Sequence, residues 1–428
     1  MRKMVRAALA VLALACAPVA TAQDFAAPPS ATGDTPEVQL EKIITYSRHT
    51  AKIENGRLTG EGGDFLRALG VQSRFVMLGE AHGNSGIATF ADAYWRDLND
   101  IGFNYAAVES DPWTTAALER ELRAGGVEGW NKFVSTRGGA AAAPFFTWAP
   151  EADLAADVLT RAKGRAPVLW GLDQVFIGAA PWLIKEVSEK AHDPQARALA
   201  APLAASAAGN LNWLPLVDPA ALGVVRAHLN DRRDVDYAAL LDAMIVSQDI
   251  YRPFTGGGGE SYFANTTREN LMRELFTDNY SNAERADGHP PRVMLKMGAS
   301  HAQRGASPLT QIQGFGGFLS EFALAHDSSA LTVLTLCGPG GEQASFQGPP
   351  EPCMNDEYNK NWAFLTPHLD PASVTIFDLR PWRLRPRRWA SLPADVQRLI
   401  VSFDVLVFAP SMPASQFLPG LPPPVIPH

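Results

Sequence analysis

The sequence predicts an α/β fold in which a mainly parallel sheet is covered by helices on both faces, with an inserted helical cap. Short apolar runs recur along the chain and alternate with segments of helical periodicity, which is the pattern of parallel strands joined by helices. Several runs end on an acid, or on Gly followed by ionisable residues. A chain of 428 residues, 46% hydrophobic and 19% charged, can bury one large core or two.

The first 22 residues have the pattern of a secretory signal peptide. Basic residues precede the apolar run 7–15, and Ala20-Thr21-Ala22 provides an A-x-A cleavage site. The run is far shorter than the roughly 20 residues that span a bilayer, and no later run is long enough either. We therefore expect an exported, periplasmic or extracellular protein without a transmembrane segment after signal removal. Cys16 makes a lipoprotein the alternative, which the cleaner A-x-A site disfavours.

The mature chain is predicted to be a single α/β domain over residues 41–410, with a flexible lead at 23–40 and a Pro-rich tail at 411–428. A helical insertion occupies about 179–286 and contains a Gly run at 256–259, interpreted as a surface loop rather than a lid joint. Strands are predicted at 75–78, 105–108, 167–171, 293–297, 331–336, 374–377 and 405–408. Helices are predicted at 38–49, 64–69, 88–99, 114–124, 153–162, 183–191, 196–208, 220–229, 237–251 and 262–276.

Charge and cysteine content narrow the class of protein. The net charge of −8 gives no electrostatic reason to expect nucleic acid as a partner. Removal of the signal peptide leaves Cys337 and Cys353, and an even pair in an exported protein predicts a disulfide across a Gly- and Pro-rich loop. The Arg-rich stretch 380–388 is interpreted as a solvated loop whose arginines pair with local acids. A patch for an anionic substrate or a membrane surface is the alternative.

Ionisable side chains follow the predicted strands at their carboxyl ends, where open parallel sheets bind ligands. They are Glu80, His82, Glu109, Asp173, His301 and, less clearly, Asp378. Two imidazoles with several carboxylates suit a divalent ion such as manganese, cobalt or zinc, and a His paired with an acid also suits a general base. Both interpretations lead to hydrolysis. They differ in whether a metal lowers the pKa of the attacking water or a His takes its proton unaided.

Three motifs carry a resemblance to a known superfamily: Leu78-Gly79-Glu80-Ala81-His82-Gly83, Val108-Glu109 and Gly298-Ala299-Ser300-His301. They resemble the superfamily that groups erythromycin esterase-like hydrolases, haem-binding ChaN-type lipoproteins and TIKI/TraB-type metalloproteases. The similarity runs from about residue 75 to the end of the sheet. Erythromycin esterases carry one more residue between the acid and the His, so the spacing here is nearer to the ChaN and TIKI branches. This departure weighs against macrolide hydrolysis in particular.

The resemblance also implies roles for individual residues. From the esterase-like branch, His82 would act as general base, Glu80 and Glu109 would orient it or the water, and His301 would complete the pocket. The segment 266–272 is similar to the Arg- and Asn-bearing helix that lines that family's cleft. It would make Arg268 a clamp for a substrate carbonyl or carboxylate, with Asn270 and Asp173 as further substrate-binding residues. In the metal-assisted alternative, Glu80, His82 and His301 are the candidate ligands.

The sequence also argues against several mechanisms. No Ser lies in a G-x-S-x-G elbow, neither mature Cys stands beside a candidate base, and no P-loop or G-x-G-x-x-G fingerprint follows the first strand. Covalent catalysis by Ser or Cys and a nucleotide cofactor are therefore disfavoured. The prediction is an exported hydrolase acting on a small ester, lactone or amide. The alternatives are a haem- or metal-binding protein of the ChaN kind and a TIKI-type metalloprotease.

Overall fold

The structure is a computed structural model that describes residues 33–165, 167–256, 261–344, 349–384 and 389–422. The predicted signal peptide, positions 257–259 of the Gly run and positions 385–388 of the Arg-rich stretch lie outside the described residues. So do the last six residues of the predicted Pro-rich tail. Within the described residues, no helix is long and apolar enough to cross a membrane.

All seven predicted strands are present, and the bounds of two of them match the prediction. In chain order the strands are β1 (Arg48–Glu54), β2 (Arg57–Thr59), β3 (Phe75–Glu80), β4 (Tyr105–Val108), β5 (Leu169–Gly171), β6 (Val293–Gly298), β7 (Ala330–Leu336), β8 (Glu342–Gln343), β9 (Glu351–Pro352), β10 (Val374–Asp378) and β11 (Val405–Phe408). The strands β1, β2, β8 and β9 were not predicted. The helix predicted at 38–49 ends at Ser47, and the chain then continues as β1 because its residues pair antiparallel with β10.

Nine of these strands form one sheet in the order β2-β1-β10-β11-β7-β3-β6-β4-β5. From β11 to β5 every neighbouring pair is parallel. At the other edge, β10, β1 and β2 pair antiparallel. The prediction of a mainly parallel sheet is confirmed, and the antiparallel edge is the feature that it lacked.

Helices cover both faces of the sheet. They are α1 (Pro36–Ser47), α2 (Glu61–Gln72), α3 (Ser85–Asn99), α4 (Pro112–Ser135), α5 (Ala149–Arg161), α6 (Ala180–Lys190), α7 (Pro194–Ala207), α8 (Trp213–Leu216), α9 (Pro219–His228), α10 (Val235–Gly256), α11 (Ser261–Asp287), α12 (Ala299–Ala302), α13 (Phe315–Ala325), α14 (Glu357–Asn361), α15 (Arg380–Arg383) and α16 (Ala394–Ser402). One core packs α3, α4 and α5 on the sheet, and the other packs α11, α13 and α16. Helices α6–α11 follow one another between β5 and β6.

The strand β3 explains why the sheet is buried on both faces. Its six residues are all buried, and Val76 and Leu78 point into one core whereas Phe75 and Met77 point into the other. Such a continuous apolar run is what a parallel strand needs, because helices cover it on both sides. At the end of β3 the chain turns, and Asn84 caps α3 by accepting the Ile87 amide at 3.0 Å.

The predicted disulfide between Cys337 and Cys353 is present, with the two Cα atoms 6.0 Å apart. It closes the segment that contains the β8–β9 hairpin, and this hairpin rests on the turn after β3. The Ala344 amide donates to the Gly83 carbonyl at 2.8 Å. Gly83 has φ +89, and a Cβ there would lie 2.9 Å from the Ala344 backbone, so both its conformation and the close approach of the hairpin require glycine.

Candidate functional site

Neighbouring parallel strands bring most of the predicted site residues together. The strands β3, β6, β4 and β5 lie side by side and run parallel, so their carboxyl ends lie next to one another. Six predicted residues converge there: Glu80, His82, Glu109, Asp173, Arg268 and His301. The first five come from strand ends or from α11, and His301 lies on the short helix α12 directly after β6.

Glu109 is at the centre of this cluster. Its Oε2 accepts the Gly298 amide at 2.6 Å, and its Oε1 accepts Arg268 Nη2 at 2.8 Å. His82 Nε2 lies 3.6 Å from Oε2, and His301 Nε2 lies 3.5 Å from Oε1. Burial alone would raise the pKa of Glu109, but the charges of His301, His82 and Arg268 outweigh it and hold the pKa well below its usual range. Glu109 is therefore an anion and a weak base.

Each imidazole is held from behind by its own carboxylate. His82 Nδ1 lies 2.9 Å from Glu80 Oε1, and His301 Nδ1 lies 2.5 Å from Glu269 Oε1. Because an ionised carboxylate only accepts, Nδ1 of each ring carries a proton. Each Nε2 is turned towards Glu109. Glu269 was not predicted, although it lies beside Arg268 in the sequence.

The two imidazoles differ in exposure and in charge. The side chain of His301 is 4% exposed, whereas that of His82 is 27% exposed. Burial and Arg268 oppose protonation of His301, but Glu109 and Glu269 outweigh them and raise its pKa to about 9. For His82, burial is again opposed by Glu80 and Glu109, and its pKa is raised above the usual value. His301 is thus a buried cation at neutral pH, and His82 is the imidazole nearer to solvent.

An aromatic ring covers one face of His82. Phe145 stacks on it with ring centroids 4.2 Å apart and an interplanar angle of 24°. Phe145 has φ +59, in the left-handed region that favours glycine, so its position costs backbone energy. Phe145 was not predicted, because nothing in the Gly- and Ala-rich segment before it indicates contact with His82.

A buried lysine, also missed, lies behind Glu80. Lys296 Nζ donates to Glu80 at 2.7 Å and to both oxygens of Glu151 at 2.9 Å. The signal that could have identified Lys296 is its position inside the apolar strand Val293–Gly298, where a charge needs a partner. Beside these side chains is a cavity of about 20 Å³, large enough for one water molecule.

Arg268 reaches the cluster from α11. Its Nε donates to Asp173 Oδ1 at 2.9 Å, its Nη2 donates to Asp173 Oδ2 at 2.5 Å, and Nη2 also reaches Glu109. This two-point contact with Asp173 fixes the plane of the guanidinium. Its side chain is 24% exposed, so Arg268 stays partly in contact with solvent while it pairs with buried acids.

Two other predicted residues lie away from the cluster. Asn270 is exposed, accepts Arg273 Nη1 at 3.2 Å and lines a separate cleft of about 300 Å³, because a residue two positions after Arg268 points about 200° round the helix. Asp378 ends β10, which runs antiparallel to β11. It therefore lies where the parallel strands begin rather than where they end, and it pairs with Arg380 at 2.8 Å. The expectation that Asp378 shares the strand-end position of Glu80 is therefore corrected.

The predicted metal ligands are not arranged around one point. Glu80 binds His82 Nδ1 and Lys296, on the side of the imidazole turned away from His301. In the part of the chain that the structure describes, no three His, Cys, Asp or Glu side chains are placed to hold a metal ion. The ammonium of Lys296 and the guanidinium of Arg268 already supply positive charge here, so the donor set does not fit a divalent ion. Both Nε2 atoms face Glu109 and both Nδ1 atoms face other carboxylates. Neither imidazole is therefore oriented as an axial ligand of a haem.

No protein-family model and no curated protein sequence matches the chain. Solved structures match it in fold. A succinoglycan biosynthesis protein has a TM-score of 0.56 at 14% identity, covering 90% of this chain and 100% of that one. A Bacillus cereus protein has a TM-score of 0.55 at 14% identity with the same coverage.

Erythromycin esterase EreC also matches, as a histidine-to-asparagine variant in its open conformation. Its TM-score is 0.56 at 14% identity, and the match covers 87% of this chain and 99% of that chain. The chain therefore shares the fold of erythromycin esterase. The resemblance of its motifs stays a prediction. At this identity the likeness establishes the fold, and function has to be argued from the site.

Proposed function

We propose that this protein is an exported hydrolase that uses His82 to activate water for attack on a small ester, lactone or amide. The observation that carries the proposal is that two different imidazoles face Glu109 from opposite sides. His82 is partly exposed and is held at Nδ1 by the buried Glu80, whereas His301 is a buried cation. The erythromycin esterase-like fold supports a hydrolase. The predicted signal peptide and the disulfide support export, because disulfides persist in oxidising compartments.

In the proposed reaction, Nε2 of His82 takes a proton from water while the water oxygen bonds to the substrate carbonyl carbon. Glu80, which holds Nδ1, stabilises the imidazolium that forms. The negative charge that develops on the carbonyl oxygen is stabilised by His301 and Arg268, the cations on the other side of Glu109. The carbon–oxygen or carbon–nitrogen bond then breaks, and His82 returns its proton to the leaving group.

The roles of the two imidazoles follow from their environments. His82 serves as base because it is nearer to solvent and its other nitrogen is already bound. His301 serves as fixed positive charge because it is buried and its pKa is raised to about 9. Glu109 keeps both rings turned inwards, and its low pKa makes it an orienting group rather than a base.

A hydrolysis screen tests this proposal. Activated esters, lactones including a macrolide, and amides would be incubated with the mature wild-type protein, His82→Gln and His289→Gln. Gln at position 82 can still donate to Glu80 but cannot accept a proton, so we expect a loss of about 10²–10⁴-fold in kcat. His289 is exposed and lies outside the cluster, so its variant should match the wild type. Turnover of the hydrolysed substrate by His82→Gln at the wild-type rate would refute the assignment.

A further inference from the structure

Lys296 is a charged residue in the interior of the sheet. It lies opposite Leu78 of β3 and Val108 of β4, and the residue is 8% exposed. An ammonium group removed from water in this way is costly unless carboxylates surround it. Two do so: Glu80 from β3 and Glu151 from the first turn of α5. The three side chains form a compact ionic cluster behind His82.

Glu80 is shared between an imidazole and an ammonium group in this arrangement. It accepts from His82 Nδ1 at 2.9 Å and from Lys296 Nζ at 2.7 Å. A carboxylate whose only partner is an imidazole stabilises the protonated imidazole and raises its pKa. A second cation on the same carboxylate repels that proton, and the repulsion is strong because the pair is buried.

We propose that Lys296, held in place by Glu151, is a positioning residue that lowers the proton affinity of the Glu80–His82 pair and so frees Nε2 to accept a proton near neutral pH. The catalytic role of Lys296 rests on the function proposed above. Its effect on the proton of His82 is a property of the resting protein and does not depend on any substrate.

The remaining charges around His82 favour proton retention. Glu109 faces Nε2 at 3.6 Å, and Glu151 and Asp356 also act on the imidazole through their charges. Among the residues that the structure describes, Lys296 is the cation whose charge opposes proton binding by His82, and His301 and Arg268 are paired with Glu109. In keeping with this geometry, burial raises the pKa of Glu80, but Lys296 and His82 outweigh burial and lower it overall.

The experiment is an NMR titration of the histidine side chains in the ¹⁵N-labelled mature protein, with the His82 signals assigned from their loss in His82→Gln. Wild type, Lys296→Met and Lys190→Met would be compared. Lys190 is half-exposed and pairs with Glu186, so its variant controls for the loss of a lysine elsewhere. We expect the His82 midpoint in Lys296→Met to rise by about one pH unit or more, and the midpoint in Lys190→Met to stay unchanged. A folded Lys296→Met with the wild-type midpoint would overturn the proposal.

Glu151→Gln keeps the proposal testable if Lys296→Met does not fold. This variant removes a negative charge from the cluster and leaves Lys296 bound to Glu80. We therefore expect the His82 midpoint to fall, the opposite direction from Lys296→Met. An unchanged or higher midpoint would contradict the proposal. If His82→Gln retains turnover but these midpoints move as expected, the assignment of His82 as the catalytic base fails and the role of Lys296 in setting the proton affinity stands.

Discussion

The charge on His301 makes a contribution to the stability of the protein that depends on pH, and His301→Gln removes that contribution. In the wild type, His301 lies between Glu109 and Glu269, with its side chain 4% exposed. Gln can still donate a hydrogen bond to Glu269 but carries no charge. We expect the variant to be less stable than the wild type at pH 6 and to approach it in stability at alkaline pH.

The magnitude follows from the pKa. The pKa of His301 is about 9 in the folded protein, against about 6.5 for an unperturbed His. A group whose pKa is raised by folding contributes its full stabilisation below the unfolded pKa and loses it as the pH rises through the folded value. At about 1.4 kcal/mol per pKa unit, the free energy of unfolding should lose about 3 kcal/mol between pH 6.5 and pH 9 because of this residue.

Urea unfolding of wild type, His301→Gln and His289→Gln at intervals from pH 6 to pH 10 measures this term. The difference in unfolding free energy between wild type and His301→Gln should shrink by about 3 kcal/mol across that range. The His289→Gln control should run parallel to the wild type. A difference between wild type and His301→Gln that stays constant from pH 6 to pH 10 would show that folding does not raise the pKa of His301, and would refute the electrostatic argument.

Three further perturbations test the surroundings of the site. Arg268→Met leaves the buried Asp173 without its cation and takes one cation from Glu109, so it should lower the free energy of unfolding by about 3–5 kcal/mol, measured by urea unfolding. Reduction of Cys337–Cys353 should cost about 3 kcal/mol and move the NMR signals of His82, because the hairpin it closes rests on the turn after β3. Gly298→Ala places a Cβ 3.0 Å from His82 Nε2 and should lower kcat about 100-fold, with far-UV circular dichroism unchanged.

The sequence was sufficient to predict the parallel part of the sheet and the residues at its strand ends. Buried parallel strands are continuous apolar runs, and their carboxyl ends lie at one edge, so Glu80, Glu109, Asp173 and His301 could be assigned to the same place. The antiparallel edge was harder, because β1 and β2 mix polar and apolar residues and are partly exposed. The direction of β10 was not evident either, which is why Asp378 was assigned to the wrong edge.

Residues that act from behind the site were not predictable in the same way. Lys296 reaches Glu80 only because of the register that places it opposite Leu78, and sequence does not give register between strands so far apart in the chain. Glu151 comes from the start of a helix whose apolar pattern predicts burial but not which acid faces the sheet. Asn270, in contrast, could have been separated from Arg268 by helical geometry alone.

The arrangement of charges explains why two similar His–carboxylate pairs would do different work. Both rings point their Nε2 at Glu109. The cation that opposes the charge of His301 is Arg268, which binds Glu109, whereas the carboxylate that holds His82 is itself shared with Lys296. In the first pair the carboxylates prevail, and the ring stays a buried cation. In the second pair an ammonium group competes with the imidazole for the same acid. In the function proposed above, this competition suits the partly exposed ring of His82 to act as a base, and the charge kept by the buried ring of His301 suits it to stabilise a developing oxyanion.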